Sequence, residues 1–404
     1  MASDSKPVSL KKPKQRPIWW RIHAWIGLKL SLLLTVIFLT GTLAVLANEI
    51  DWLVDPALRI SPSAPADASW GLLANNVQAA IPNGHIEQIE RGPEPWMATV
   101  ALVQTADGHR QRVLLDPTTG DVKRVAGFAS VQRFLRDFHR RLMLPVNIGL
   151  VLVTSFSLLL MLSLISGLVS YKKFWRGFFK KPRGGGLRKT SGDIHRLAGL
   201  WGIWFVALIA LTGFWYMIEL LGANAPELFP LEPVVDNSRA YNLAQPVGKE
   251  LDRLVAVAHH TYPGLEIRRV LYPFESVSAI GFQGDADTML VTEKANAVWV
   301  DVATRTPKIT FTGHELSTHQ RIAEMADPLH FGTWGGLITK LIWFLFGAGL
   351  TTLSVTGVII YSTRLRKGST SALSIAFQGM KYWLIPIILI LLIGLWLTPA
   401  VLAG

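Results

Sequence analysis

The sequence contains no cysteine. That excludes disulfides, thiolate metal sites and iron–sulfur clusters. Charged residues are scarce as well, at 17% of 404 positions, and acidic residues are outnumbered 28 to 40 by Lys and Arg. Half of the residues are hydrophobic, which excludes a disordered chain. The net charge of +12 raises nucleic acid as a partner, but its distribution argues for a lipid bilayer instead.

Five apolar runs are long enough to span about 30 Å of hydrocarbon as helices. They lie near residues 22–47, 144–169, 194–221, 337–361 and 383–402. Lys29 and Lys340 sit near span ends, where a lysine is expected to snorkel. The first run is too long, and too poor in a small-residue cleavage site, for a removable signal. Eighteen of the forty basic residues fall in three short segments: the amino-terminal tail, the loop after the second run and the loop after the fourth. The positive-inside rule puts these in the cytoplasm, amino terminus inside. Residues 49–138 carry 8 basic and 11 acidic residues, and residues 222–330 carry 9 and 14. Both segments are therefore expected outside.

The chain reads as a tandem repeat. Ile22-His23, Gly27-Leu28 and Leu39-Thr40-Gly41 recur, all at one constant offset, as Ile194-His195, Gly199-Leu200 and Leu211-Thr212-Gly213. Ser166-Gly167 and Tyr171 recur at a second shared offset as Thr356-Gly357 and Tyr361. The expected fold is membrane α-helical with α+β external domains. Its order is a tail (1–19), TM1 (20–48), a first external domain (49–137), TM2 (138–170), a basic loop (171–192), TM3 (193–221), a second external domain (222–329), TM4 (330–362), a loop (363–380) and an unmatched TM5 (381–404). Each external domain is expected to be a separate small module of one helix and a few antiparallel strands. The turn Asp116-Pro117-Thr118-Thr119-Gly120 is favourable; its counterpart Asp301–Arg305 lacks the proline and glycine and is less secure. Gly184-Gly185-Gly186 follows no strand, so it reads as linker rather than a phosphate loop.

Four of the ten histidines fall at matched span edges. His23 and His195 open the first and third spans on the cytoplasmic side; His139 and His330 open the second and fourth on the external side. Symmetry is expected to pair them as two axial ligand sets. Paired imidazoles suit haem iron and electron transfer, because both axial positions are then filled. Two haem b groups with bis-histidine ligation are the expected cofactors. Gly27 and Gly199 lie one turn beyond their histidines and make room for a flat macrocycle, although small residues also serve helix packing. Arg21, Arg140, Arg141 and Arg196 are candidates to pair with propionates. Zinc fits less well, since no His-x3-His or carboxylate cluster accompanies the pairs. Trp204, Phe205, Phe214, Trp215, Trp343 and Phe344 are candidates to lie between the two sites, or simply to pack. His314 and His319 mark a candidate substrate region.

These residues carry a resemblance. The two external segments, each with a Pro-Gly turn and a strand running into an Asp-led turn, look like PepSY domains. The flanking Ile-His and Leu-Thr-Gly spans, with Pro328-Leu329-His330-Phe331-Gly332-Thr333-Trp334-Gly335-Gly336, resemble the PepSY-associated transmembrane helix family over residues 18–365. The family includes inner-membrane siderophore-iron reductases of the ferrioxamine type, which the resemblance implies are haem proteins. The implied function is reduction of a ferric siderophore outside the membrane. The net-acidic exterior favours cationic or neutral chelates. The donor, a quinol or a separate reductase, is not encoded by any nicotinamide or flavin fingerprint. The alternatives are a non-enzymatic envelope sensor or binding protein, and an iron or siderophore permease. Few ionisable residues lie mid-span and no broken-helix pair is evident, which disfavours the permease.

Overall fold

A computed structural model of the chain describes residues 17–61, 67–229, 245–273, 278–365 and 371–403. Membrane helices occupy one end and an antiparallel sheet the other. Helices α6 (Val146–Ser170), α8 (Ile203–Leu220), α11 (Gly336–Leu365) and α12 (Ala372–Ala403) are each long and apolar enough to cross a bilayer. A fifth crossing is made if α1 (Ile18–Lys29) and α2 (Ser31–Val45) act as one span.

The first span, expected over 20–48, is a broken-helix pair, although none is evident in the sequence. Helices α1 and α2 meet at 70°. TM2 is also broken. Helix α5 (Val131–Arg141) is capped by the Ser130 hydroxyl, which accepts from Arg133 N. It stops where Leu142 and Met143 both take positive φ, and Pro145 then caps α6. Left-handed backbone is costly for such residues, but the corner is held by packing: both side chains are fully buried. Helix α12 closes on it so tightly that a Cβ at Gly394 would lie 2.1 Å from Leu142 O. TM3 divides at Gly202 into α7 (Leu187–Trp201) and α8. TM4 divides likewise. Helix α10 (Thr318–Phe331) opens with a Ser317/Gln320 capping box and ends at left-handed Gly332, before α11. The last helix begins near residue 372 rather than 381: it runs through Gly379, which packs closely against Leu28. Gly404 lies outside the described residues.

The two external modules are not separate, as the sequence had implied. Strands β1 (His85–Glu90), β2 (Thr99–Gln104), β3 (Arg110–Leu115) and β4 (Val122–Gly127) form one half of a single sheet. Strands β5 (Glu266–Leu271), β6 (Ala279–Asp285), β7 (Ala297–Asp301) and β8 (Pro307–Phe311) form the other. The order is β4-β3-β2-β1-β5-β6-β7-β8. The join is the antiparallel pairing of β1 with β5, where Ile89 faces Val270 and Glu90 faces Arg269. Helices α4 (Trp70–Ala80) and α9 (Gly248–Thr261) cover one face and share one core. Leu73, Val77, Ile89, Leu251, Leu254 and Val270 within it are all fully buried. Each such side chain stabilises by about 2 kcal/mol, so the halves gain more joined than apart. Asp252 of α9 clamps the start of α4, accepting from Gly71 N at 2.8 Å and Ser69 Oγ at 3.0 Å. The helices touch closely enough that a Cβ at Gly71 would meet Gly248 O at 2.1 Å.

Both Asp-led turns form. Asp116 Oδ1 accepts from Thr118 N and Thr119 N, and Asp301 Oδ1 accepts from Ala303 N and Thr304 N. Where the first turn has Gly120 at φ +78, the second holds Arg305 at φ +57. Partial burial opposes ionisation of both carboxyls, but these N–H and hydroxyl bonds outweigh it and hold each below the usual carboxylate range.

Lys340 does not snorkel. Its side chain is 6% exposed, pairs with Glu49 of α3 (Ala47–Val54) and lies 3.8 Å from Glu94 in the β1–β2 connection. A buried ammonium must find carboxylates, and here it ties the sheet to α3 and α11.

Candidate functional site

Each of the four histidines lies on the short helix that precedes a break: His23 on α1, His139 on α5, His195 on α7 and His330 on α10. The structure brings them together in two pairs. The His23 and His195 rings lie 6.2 Å apart between centroids, at 81°. The His139 and His330 rings lie 6.2 Å apart at 35°. The second pair is on the sheet side of the helices. The first is at the far end, where Thr356, in the later half of α11, lies beside His195.

Every Nδ1 is occupied. His23 Nδ1 donates to Ser163 O of α6, and His139 Nδ1 donates to Ile37 O of α2, both at 3.0 Å. His195 Nδ1 lies 3.0 Å from Thr356 Oγ1 of α11, and His330 Nδ1 lies 2.7 Å from Thr212 Oγ1 of α8. Both threonine hydroxyls spend their own proton on a carbonyl one turn back, Thr352 O at 2.6 Å and Leu208 O at 2.9 Å. With that proton so placed, each hydroxyl oxygen is left to accept from its imidazole. With the proton on Nδ1, all four rings present the Nε2 lone pair. This is how a metal-ligating histidine is oriented.

The spacing is right for a shared metal. Two metal–imidazole bonds of about 2 Å each, plus roughly 1 Å from each nitrogen to its ring centre, separate centroids by about 6 Å. Among the described residues no cluster of three or more His, Cys, Asp or Glu is placed to hold a bare ion. Two imidazoles alone do not complete a zinc site. They would suffice for an iron carried by a macrocycle.

At the far pair the space exists. A cavity of about 610 Å³ is lined by His23, His195, Gly27, Gly199, Gly167 and Gly357, among others. A Cβ on Gly27 would meet nothing within 4 Å, and one on Gly199 only Leu353 at 3.5 Å. Other glycines lie closer to the rings than these two. A Cβ at Gly41 would fall 2.6 Å from His139 Cε1, one at Gly167 3.2 Å from His23 Cε1, and one at Gly357 3.7 Å from His195 Cε1. Their roles were invisible in the sequence, although the repeat had marked all three as matched positions.

Arg196 lines the cavity, 3.6 Å from Asp193 and donating to Lys180 O at 2.7 Å. Arg183 and Arg364 also reach it; neither stood out in the sequence, since each sits in a basic segment explained by topology. Arg21 is exposed and does not line the cavity. Arg140 is exposed beside the sheet-side pair, while Arg141 pairs with Asp137 at 3.2 Å. His314 and His319 do not join either pair. His314 is exposed and bonds Asp287 at 2.9 Å. His319 donates to Ala223 O at 3.1 Å and meets Trp215 edge-on at 5.6 Å. It precedes His330 on α10 by about 16 Å along the helix axis. Trp204, Phe205, Trp343 and Phe346 form one cluster of edge-to-face and tilted rings. Trp343 Nε1 donates to Leu329 O, next to His330.

Apolar helices in this number, joined to an antiparallel sheet, define a multi-pass membrane protein with a β domain. The family described as PepSY-associated TM region matches residues 20–364, and the chain belongs to that family. An uncharacterized protein of Pseudomonas aeruginosa is 34% identical over 87 residues. That stretch is 21% of this chain and 22% of the relative's length.

Proposed function

We propose that the protein is an inner-membrane reductase that holds two haem b groups and passes electrons to a ferric siderophore on the periplasmic face, releasing ferrous iron. The observation that supports this best is the pair of histidine pairs, each at haem-ligand spacing with every Nδ1 engaged. Haem held by His23 with His195, and by His139 with His330, would supply reversible one-electron chemistry. The chain supplies the rest. Ser163, Ile37, Thr356 and Thr212 fix the imidazole tautomers and ring planes. Gly27 and Gly199 leave space at the far pair. Arg196, with Arg183 and Arg364, offers positive charge to carboxylates at the cavity rim.

On this reading the architecture is two tandem helix–PepSY–helix repeats plus one further helix, with the amino terminus in the cytoplasm and the sheet outside. One electron, taken from a quinol or a separate reductase, converts each ferric ion to ferrous. The softer ion is held less well by hard oxygen ligands and leaves the chelator. Electrons leave from the His139–His330 end, beneath the sheet.

The test has two parts. The purified protein is scanned oxidised and dithionite-reduced, and sharp low-spin haem bands are expected. His330→Ala is then assayed with a membrane-impermeant ferrous trap, and chelate reduction is expected to stop while the remaining haem stays reducible. Absence of haem from protein made in haem-replete cells overturns the proposal. Full chelate reduction by a variant lacking the sheet-side haem overturns the site of electron exit.

A further inference from the structure

The segment joining α6 to α7 is strongly basic. From Tyr171 to Lys189 it carries Lys172, Lys173, Arg176, Lys180, Lys181, Arg183, Arg188 and Lys189, with no acidic residue. Topology alone asks for basic residues here, but not for the aromatic residues set among them. Trp175 is 60% exposed and Phe179 is 91% exposed. Both follow shortly after Ser170, where a bilayer-spanning helix ends. Fully exposed phenylalanine in water is unfavourable; at the edge of a bilayer the same ring enters the headgroup and acyl boundary.

The segment is also a built structure rather than a loose tether. Residues Phe174–Gly177 form a 3-10 turn. Gly177 is buried, and a Cβ there would lie 2.7 Å from Tyr171 Oη and from Leu200. Trp201 Nε1 donates to Phe178 O at 3.1 Å, Arg196 to Lys180 O at 2.7 Å, and Arg183 N to Asp193 at 2.7 Å. These bonds hold the segment against α7, close to His195. They leave Trp175 and Phe179 pointing away from the protein. Tyr171, Phe174, Lys180 and Arg183 line the mouth of the far-side cavity.

We propose that this segment is a binding site for anionic phospholipid. Trp175 and Phe179 enter the boundary layer, Arg176, Lys180 and Lys181 engage the headgroup phosphate, and the bound lipid forms part of the rim of the His23–His195 cavity. Cations immediately beside a span, interleaved with exposed aromatic residues, are the chemistry that recognises such lipids. An acidic soluble protein would also meet the cations. It would leave Phe179 without an apolar phase, so lipid fits the whole surface better. The inference needs only the membrane-spanning helices, not the haem reading.

The full chain is delipidated in neutral detergent and titrated with phosphatidylglycerol or phosphatidylcholine. Bound lipid is counted by native mass spectrometry. Phosphatidylglycerol should be retained in preference by at least about tenfold, given three or more cations at the surface. Arg176→Gln with Lys180→Gln and Lys181→Gln should abolish the preference, and Arg176→Lys should keep it. Phe179→Ser should weaken both lipids while leaving the preference. All variants lie at exposed positions, and unchanged melting checks that each is folded. Equal retention of the two lipids by the wild type overturns the proposal and leaves an acidic protein as the occupant. Loss of preference in Arg176→Lys also overturns it, since charge is then not what is recognised. Displacement of phosphatidylglycerol by millimolar inorganic phosphate would show a site for the free anion, not for lipid.

Discussion

On the proposed two-haem reading, replacing Gly41 with alanine should remove one cofactor and spare the other. The new methyl would lie 2.6 Å from His139 Cε1, 2.8 Å from Nδ1 and 3.2 Å from Nε2. Carbon atoms need about 3.5 Å, so the imidazole must retreat by roughly 1 Å. That movement breaks the 3.0 Å bond from Nδ1 to Ile37 O. Overpacking of this kind costs about 1–3 kcal/mol, and the lost hydrogen bond about 1 kcal/mol more. Alanine in place of glycine returns about 1 kcal/mol of helix propensity. The balance is about 2 kcal/mol against a correctly placed His139, or roughly thirtyfold weaker retention at the sheet-side pair. The repeat supplies the control. Gly213 is the matched residue, yet a Cβ there meets Ser157 Cβ at 3.1 Å and not His330. Gly213→Ala should therefore change retention little. Gly27→Ala is the converse case. It meets nothing in the protein, so melting should hold or rise, while the far-side cofactor is lost because the methyl enters the cavity. The assay is the haem-to-protein ratio with a stepwise redox titration that separates the two components. Retention of both components at wild-type ratio in Gly41→Ala and in Gly27→Ala would refute the reasoning.

Three further outcomes are expected. His23→Ala and His195→Ala should each lose about half the bound haem, from the same spectral component, since both rings serve one site; loss from different components would separate the pair. Lys340→Met should destabilise the chain by about 1–3 kcal/mol, because it leaves the half-buried carboxylates of Glu49 and Glu94 without their cation; the check is thermal melting, and Glu49→Gln in the same chain should recover part of the loss. The sheet should weaken in acid. Asp116 and Asp301 have folded pKa values below their unfolded values, so their contribution is full above about pH 4 and fades as pH falls through the folded values. Melting between pH 7 and 3 should be less pH-dependent in Asp116→Asn, and an unchanged profile would show that this carboxylate is not a source of the acid sensitivity.

Much of the site was legible because it is written in local pattern. A helix needs about 20 apolar residues to cross a bilayer, so the spans announce themselves. One constant offset, shared with the Gly-Leu and Leu-Thr-Gly matches, pairs His23 with His195 without any coordinates. What the sequence could not carry is where helices stop and which surfaces meet. The break at Leu142 and Met143 depends on two non-glycine residues in left-handed backbone, tolerated only because α12 packs over them. The fate of Lys340 depends on Glu49 and Glu94, which belong to the opposite half of the chain. The joining of two modules into one sheet depends on β1 meeting β5 across TM2, the basic loop and TM3. Strand pairing at that range leaves no periodic trace in either strand. The tautomer of each histidine was likewise decided by tertiary contact. The repeat marks Thr212 and Thr356 as matched positions but gives neither a role. They became imidazole acceptors only because packing carried a helix with a histidine to within 3.0 Å of each hydroxyl.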